Sequence, residues 1–527
     1  MQLYKWQKEC LSEWEKNQRR GIAHVATGAG KTVLALEAIR RALTIHPDTA
    51  VKIVVPFIPL ARQWENALLQ NPRLAQLRPG FFGGGRRDDP ASRLMIYILP
   101  SARSSLAVHV RQELALGRHV LLICDECHHC ASPQNRKIFD FLNTAILSGN
   151  QYSCLGLSAT PLETENDALL IHALGPVIYR YGFEAGVRES ILSPFAVCEV
   201  SSSFSASELQ EYGRLSSEIA LQLQHLHAAY PALKKMEKRR FLQAVSHIAR
   251  QADMDPAEPA AALLFKTYQR KQITVSAASR VRCALALLLR MHPTDRVLIF
   301  SERIAQAEEM AAAIRRRMGN ICVIYHSRMT RDARERNLQA FRENRARVLV
   351  SCRCLDEGID VPDANIGIVL SGSAVERQHI QRLGRLLRRA PGKTAACLYH
   401  ISIREAPEDL AFLPVLTSCE RFSLRYLPAE DDFSSDLYEY ACSDLLRSAS
   451  EKGMSSAFLR EYRACLMEGL TRADWLLTEQ ILSKQIRTTA ATHEKNYWRS
   501  MQKLQKQLSA CASADTTSKV YAPHEGN

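Results

Sequence analysis

Short apolar runs recur along this chain, each followed by a polar loop and then by apolar residues at helical spacing. Ile22–Ala26, Val51–Val55, Val120–Cys124 and Leu155–Ser158 form such runs in the first third. Val297–Ser301, Cys322–Tyr325, Val348–Cys352, Ile366–Leu370 and Ala396–Tyr399 repeat the pattern later. Brief continuous runs of this kind predict buried strands. Thr32–Leu43 and Ala305–Met318 are among the helical stretches between them. Strands alternating with helices predict parallel sheets with helices on both faces. Two such blocks predict an α/β chain with two parallel-sheet lobes in tandem.

The stretch between the blocks differs. Ser205 to Ala286 has almost no β-branched runs and reads as helical, with the basic segment Lys234-Lys-Met-Glu-Lys-Arg-Arg240 inside it. After about residue 410 the strand pattern stops, and Leu437–Leu508 reads as helices. The expected division is a first lobe over 1–200, a helical insertion or linker over 201–285, and a second lobe over 286–410. A helical accessory region over 411–511 and a disordered polar tail over 512–527 complete it.

Composition narrows the partners. The chain has 527 residues, enough for two or three domains, and 46% of them are hydrophobic. Lys and Arg number 69 against 55 acids, a formal charge of +14. That surplus favours a polyanion, or else a generally basic surface. Fifteen cysteines in a long chain whose first residues, MQLYKWQKEC, lack an apolar signal core read as reduced thiols. No stretch looks long and apolar enough to span a bilayer. The expectation is a cytoplasmic protein with no membrane partner.

One turn carries candidate chemistry. Strand Ile22–Ala26 leads through Ala26-Thr-Gly-Ala-Gly-Lys-Thr32 into a helix. Glycines let backbone wrap round phosphates, so Thr27, Gly28, Ala29 and Gly30 would point N–H groups at them. Lys31 would reach the β- and γ-phosphates, and the Thr32 hydroxyl would hold Mg²⁺. Val25 stands where a strict form of this loop has its first glycine. A glycine-rich turn with a chance Lys-Thr is the plainer alternative.

A second cluster belongs beside it. Val120–Cys124 runs into Asp125 and Glu126, which places two carboxylates at the carboxyl edge of the sheet. Asp125 would bind Mg²⁺ through its water shell, and Glu126 would orient and deprotonate an attacking water. Cys124, Cys127, His128, His129 and Cys130 also suggest zinc, but no second ligand pair follows at zinc spacing.

With these residues in hand, the chain resembles superfamily 2 helicases of the DEAD/DEAH-like type. Ala26–Thr32, Asp125-Glu-Cys-His128 and Ser158-Ala-Thr-Pro161 are similar to motifs I, II and III. Val297–Ser301 is similar to motif IV, Leu355–Pro362 to motif V and Gln381-Arg-Leu-Gly-Arg-Leu-Leu-Arg388 to motif VI. The resemblance spans residues 4 to 400 and implies two RecA-like lobes. It implies that Gln7 reads adenine, and that Gly358 and Asp360 join the ATP site. His128, Ser158, Ala159, Thr160 and Gln381 would couple the motifs.

Arg385 and Arg388, three apart on one helix face, would stabilise the charge on a transferring γ-phosphoryl group. Val55–Trp64 resembles motif Ia, so Pro56 and Arg62 would line a nucleic-acid track, with Arg353, Thr330 and the Gly83-Gly-Gly-Arg-Arg87 loop as further contacts. The relaxed first glycine at Val25 is usual in this superfamily.

The sequences DECH and QRLGRLLR are more similar to repair- and restriction-type DNA motors than to RNA helicases. The resemblance implies ATP and Mg²⁺ as cofactors and DNA ahead of RNA as partner. An RNA helicase and an ATP-switched clamp or scaffold are the alternatives. Tyr497, Met501, Leu504 and Leu508 follow helical spacing, with Arg499, Lys503 and Lys506 on other faces. That helix would face DNA or a protein partner such as a nuclease, or would simply pack on the second lobe. DNA repair and antiviral defence are the settings the resemblance implies.

Overall fold

The computed structural model describes residues 2–143, 151–159, 165–251, 254–255, 258–352, 364–371, 386, 393, 395–407 and 419–514. The chain divides into two compact units, one formed mainly by Met1–Pro194 and the other beginning at Phe195.

In the first unit the strands are β1 (Arg20–Val25), β2 (Ala50–Val55), β3 (Gly80–Gly83), β4 (Arg86–Arg87), β5 (Leu94–Ile98), β6 (Val120–Asp125), β7 (Tyr152–Ser158) and β8 (Val177–Tyr181). They form one sheet in the order β4-β3-β5-β2-β6-β7-β1-β8. Every pairing is parallel except the β3–β4 hairpin. All residues of β2, β5, β6 and β7 are buried, as expected of strands covered on both faces.

Helices α1 (Lys5–Lys16), α2 (Lys31–Ile45), α3 (Ile58–Leu69), α4 (Pro72–Ala75), α5 (Leu99–Ala115), α6 (Glu165–Leu174) and α7 (Phe183–Arg188) accompany the sheet. One core gathers Trp6, Leu34, Ile39 and Trp64 against the sheet; another gathers Leu106, Val110, Phe141 and Leu174. The register pairs His24 with Ser158 and Asp125 with Leu157. The carboxyl ends of β1, β6 and β7 therefore finish at one edge.

The second unit carries β9 (Phe195–Ser202), β10 (Val297–Ser301), β11 (Cys322–Tyr325), β12 (Val348–Cys352), β13 (Ile366–Val369), β14 (Ala396–Ile403), β15 (Glu420–Leu427) and β16 (Asp432–Ser434). Their order is β11-β12-β10-β13-β14-β9-β15-β16, parallel up to an antiparallel β15–β16 edge. Helix α8 (Ala206–Ala229) opens on a capping box between Ser205 and Glu208. With α9 (Lys238–Gln251) and α10 (Pro259–Ser276) it builds a small core around Leu226, Leu233, Val245 and Leu263. Then α11 (Ala278–Arg290), α12 (Ile304–Met318) and α13 (Arg331–Arg342) belong to the sheet. The chain ends through α14 (Ser443–Glu451), α15 (Ser456–Arg472), α16 (Glu479–Thr488) and α17 (Thr492–Ala514).

Four expectations need correction. The boundary at residue 200 falls inside β9, which pairs with β14 from Phe195–Ala396 to Ser202–Ile403, so the second unit starts earlier. The helical stretch ending at 285 cuts through α11, whose Cys283, Ala284, Leu287 and Leu288 are buried in the second sheet's core. The region after 410 is not wholly helical: β15 and β16 extend the sheet. Its helices share that sheet's core through Leu466, Leu470, Leu482, Met501 and Leu504. Tyr497 and Leu508 are buried there too, so the stripe on α17 is a packing face.

Finally, Pro259–Arg290 is apolar enough by composition to cross a membrane. The chain breaks at Ala277 (ψ 125°), and 61% of the apolar window is buried within the protein. No disulfide joins the cysteines whose side chains are described, and all of them but Cys419 are buried.

Candidate active site

The phosphate-type turn forms where β1 ends. Gly28 (φ 87°) and Gly30 (φ 101°) take left-handed conformations that a side chain would strain. No side chain caps the start of α2, and no acid lies in its first turn. Its leading N–H groups and dipole are thus left for an anion. Lys31 Nζ donates to Val25 O at 3.3 Å and lies 3.5 Å from Glu126 Oε1.

Gln7 is fully buried and braces the turn. Its Nε2 donates to Gly30 O at 3.0 Å, and its Oε1 accepts from Tyr4 N–H at 2.9 Å. Trp6 fixes α1 by stacking on Tyr181, ring centres 5.0 Å apart.

β6 delivers the carboxylates. Asp125 Oδ2 accepts the indole N–H of Trp64 at 2.8 Å, and Oδ1 accepts the backbone N–H of Glu126 at 3.0 Å. Glu126 itself sits in the left-handed region (φ 46°, ψ 51°), which turns its side chain out of the strand's alternation. Glu126 Oε2 is 3.6 Å from His128 Nδ1, and that nitrogen is 3.2 Å from Ser158 Oγ. A continuous polar line therefore runs from Lys31 through Glu126 and His128 to Ser158.

Electrostatics separates the two carboxylates. Burial, then the neighbouring Glu126 charge, pushes Asp125 up to about 6. Burial pushes Glu126 up as well, but Lys31, His128 and His129 together outweigh it and hold that carboxyl below its usual range. A multivalent cation beside Asp125 would restore its charged form. Burial pushes the Cys127 thiol well above its ordinary value, so it stays protonated. Among the described residues no cluster of three or more His, Cys, Asp or Glu side chains is arranged to hold a metal unaided.

ATP and Mg²⁺ fit the residues present. Thr27 Oγ1 and Glu126 Oε2 are buried without a hydrogen-bond partner, and both belong to the proposed phosphate and water positions. Thr32, in the first turn of α2, and Asp125 supply the hydroxyl and carboxylate oxygens that Mg²⁺ accepts. Thr160, Arg353, Gly358, Asp360, Gln381, Arg385 and Arg388 lie outside the described residues.

Of the other expected contacts, Pro56 is buried and Arg62 is exposed on α3. Thr330 caps α13 by accepting from Ala333 N–H, and Gly83–Arg87 spans the β3–β4 hairpin. Trp64 ends the segment that resembles motif Ia, but a lone indole on a helix does not announce a carboxylate partner.

The chain is similar to known proteins over both halves of the motif set. The family described as "Type III restriction enzyme, res subunit" matches residues 1–163, and "Helicase conserved C-terminal domain" matches residues 279–390. The "DNA 3'-5' translocase XPB2" of Sulfurisphaera tokodaii is 29% identical over 74% of this chain and 79% of its own length. The "DNA 3'-5' helicase XPB" of Mycobacterium tuberculosis is 23% identical over 73% of this chain. Several curated relatives are longer, and the chain spans 51–62% of their length. These family matches and relatives support an ATP-hydrolysing superfamily 2 helicase of DEAD/DEAH-like type, related to repair and restriction helicases.

Proposed function

We propose that the chain is an ATP-dependent DNA helicase or translocase. The observation that carries the reading is Lys31 set 3.5 Å from Glu126 at the mouth of a glycine turn, beside an Asp125 whose two oxygens are both hydrogen-bonded. Lys31 and the turn's N–H groups would hold the phosphates. Thr32 and Asp125 would hold Mg²⁺, which when bound neutralises charge on the phosphate oxygens. Glu126 would orient water, its Oε2 taking the proton as the oxygen attacks. His128 and Ser158 would link that step to the end of β7. Arg385 and Arg388 would stabilise the developing charge. Preference for DNA is supported by the named activities of the relatives and by the net charge of +14.

The test is ATP hydrolysis with no nucleic acid, single-stranded DNA, duplex DNA or RNA. Stimulation by DNA is expected; stimulation by RNA alone sinks the DNA assignment. Glu126→Gln should still bind ATP while turnover falls about 10²–10³-fold, the scale of losing a group that acts in the transition state. Turnover at the wild-type rate in that variant removes Glu126 from the mechanism.

A further inference from the structure

Trp64 is absent from the roles assigned so far. It is fully buried on α3, and a buried indole N–H usually needs an acceptor. This protein meets that need in different ways. The Trp14 N–H donates to the carbonyl of Cys154 at 2.8 Å, while Trp6 and Trp475 leave theirs without a hydrogen-bond partner. Packing alone therefore does not require that an indole here find a charged acceptor. Trp64 nevertheless donates to Asp125 Oδ2 at 2.8 Å.

The consequence lies in the carboxylate's orientation. A carboxylate held at one oxygen can swing about its Cβ–Cγ bond; one held at both cannot. The Glu126 N–H fixes Oδ1 at 3.0 Å and Trp64 fixes Oδ2. Each oxygen keeps a lone pair free for the water shell of a cation. The donor is rigid, because α3 also meets the same segment at its start, where the Phe57 ring stands edge-on to His129 at 5.3 Å. Losing a hydrogen bond that orients a metal ligand typically costs about 10–100-fold in metal affinity.

We propose that Trp64 is a positioning residue for the metal-binding carboxylate: its indole N–H locks Asp125 in the orientation that receives Mg²⁺. The inference rests on the nucleotide-site reading given above. It adds a residue on the helix that bears the exposed Arg62, so one helix serves the metal site and offers a cation on its outer side.

Two replacements test it in the full chain. Trp64→Phe keeps an aromatic ring and loses the N–H. A benzothienyl side chain at position 64 keeps the indole outline and removes only the N–H, so it separates donation from packing. In both, the Mg²⁺ concentration for half-maximal ATP hydrolysis should rise about 10-fold or more, while KM for ATP at saturating Mg²⁺ stays unchanged. An independent readout needs no turnover. The chain has five tryptophans, so the Trp64 indole signal in a ¹⁵N spectrum of the nucleotide-free protein is the one lost in Trp64→Phe. Asp125→Asn should shift that signal, and so should ADP with Mg²⁺ added to the wild type.

A wild-type Mg²⁺ requirement in the benzothienyl protein overturns the proposal alone, as does an indole signal indifferent to Asp125→Asn. Hydrolysis by the wild type without any divalent cation overturns the reading of the metal site, and the proposal with it.

Discussion

The pairs Lys52–Glu113 and Lys31–Glu126, both in the first unit, are built in opposite ways. Lys52, inside β2, is wholly buried and donates to Glu113 Oε1 at 2.8 Å, to Pro90 O at 2.7 Å and to Ser92 O at 3.3 Å. Glu113 is also completed, since Arg118 donates to its other oxygen at 2.9 Å. Lys31 and Glu126 stand 3.5 Å apart, each slightly exposed, and Glu126 Oε2 accepts no hydrogen bond. The ammonium group has three protons to place. At Lys52 the protein places all three; at Lys31 it places fewer. A buried polar group that the chain satisfies by itself needs no ligand, and one with valence left over beside a glycine turn has room for one.

The largest expected effect comes from breaking the satisfied pair. Lys52→Ala leaves Glu113 buried with only the half-exposed Arg118 to pair it, and the loss should be about 3 kcal/mol or more. For a unit of this size that lowers its melting transition by roughly 10 °C. The double replacement Lys52→Met with Glu113→Leu should recover most of it, because two apolar groups of similar volume leave no charge stranded. Calorimetry on the three proteins decides. A single variant that melts like the wild type would erase the distinction between the pairs.

His119 extends the satisfied side to a titratable group. Its Nδ1 is 3.1 Å from Thr49 Oγ1 and its Nε2 is 3.2 Å from Ser153 Oγ, so the ring joins the starts of β2, β6 and β7. Burial, then His46 and Arg19, lowers it to about 4 from an ordinary 6.5, with Asp48 opposing. The folded state thus binds its proton later than the unfolded state as pH falls. The stability of the neutral form is complete above 6.5 and declines as pH drops toward 4, by about 3 kcal/mol in all. Replacing His119 with Gln, which can still accept and donate, should flatten that part of the pH profile of urea unfolding. An unchanged slope between pH 6.5 and 4 would show that the ring is not held neutral.

The same contrast explains what the sequence exposed. Strands such as β2 and β6 are covered on both faces, so they appear as unbroken apolar runs, and the carboxylates that follow β6 mark its carboxyl end. β15 lies near an edge of the second sheet with one face exposed. Its residues alternate as Arg421, Phe422, Ser423, Leu424, Arg425 and Tyr426, and a search for continuous runs passes over it. A boundary at residue 200 cuts β9 because the pairing between Phe195 and Ala396 joins residues about two hundred positions apart, which no local pattern encodes.

The site divides similarly. The glycines and Lys31 announce themselves through chemistry that is contiguous in sequence. The Trp64–Asp125 and His128–Ser158 contacts arise only when strands align. Lys52 looks like an intruder in an apolar strand until Glu113 is brought to it from α5.

The smallest expected change in stability is the most discriminating. Lys31→Ala removes an ammonium that is not tightly bonded, from a position with some access to water. Glu126 then loses its attraction to Lys31 but keeps His128 at 3.6 Å and contact with solvent. Partly exposed pairs of this length contribute little, so the nucleotide-free variant should melt within about 1 kcal/mol of the wild type. Binding should behave differently. A ligand that binds only the folded state raises stability by mass action, so ATP with Mg²⁺ should lift the melting point of the wild type and leave the variant where it was. Both halves must hold together. If Lys31→Ala destabilises the nucleotide-free protein as severely as Lys52→Ala, the loose pair is scaffold after all, and the spare valence of Lys31 and Glu126 loses its claim to function.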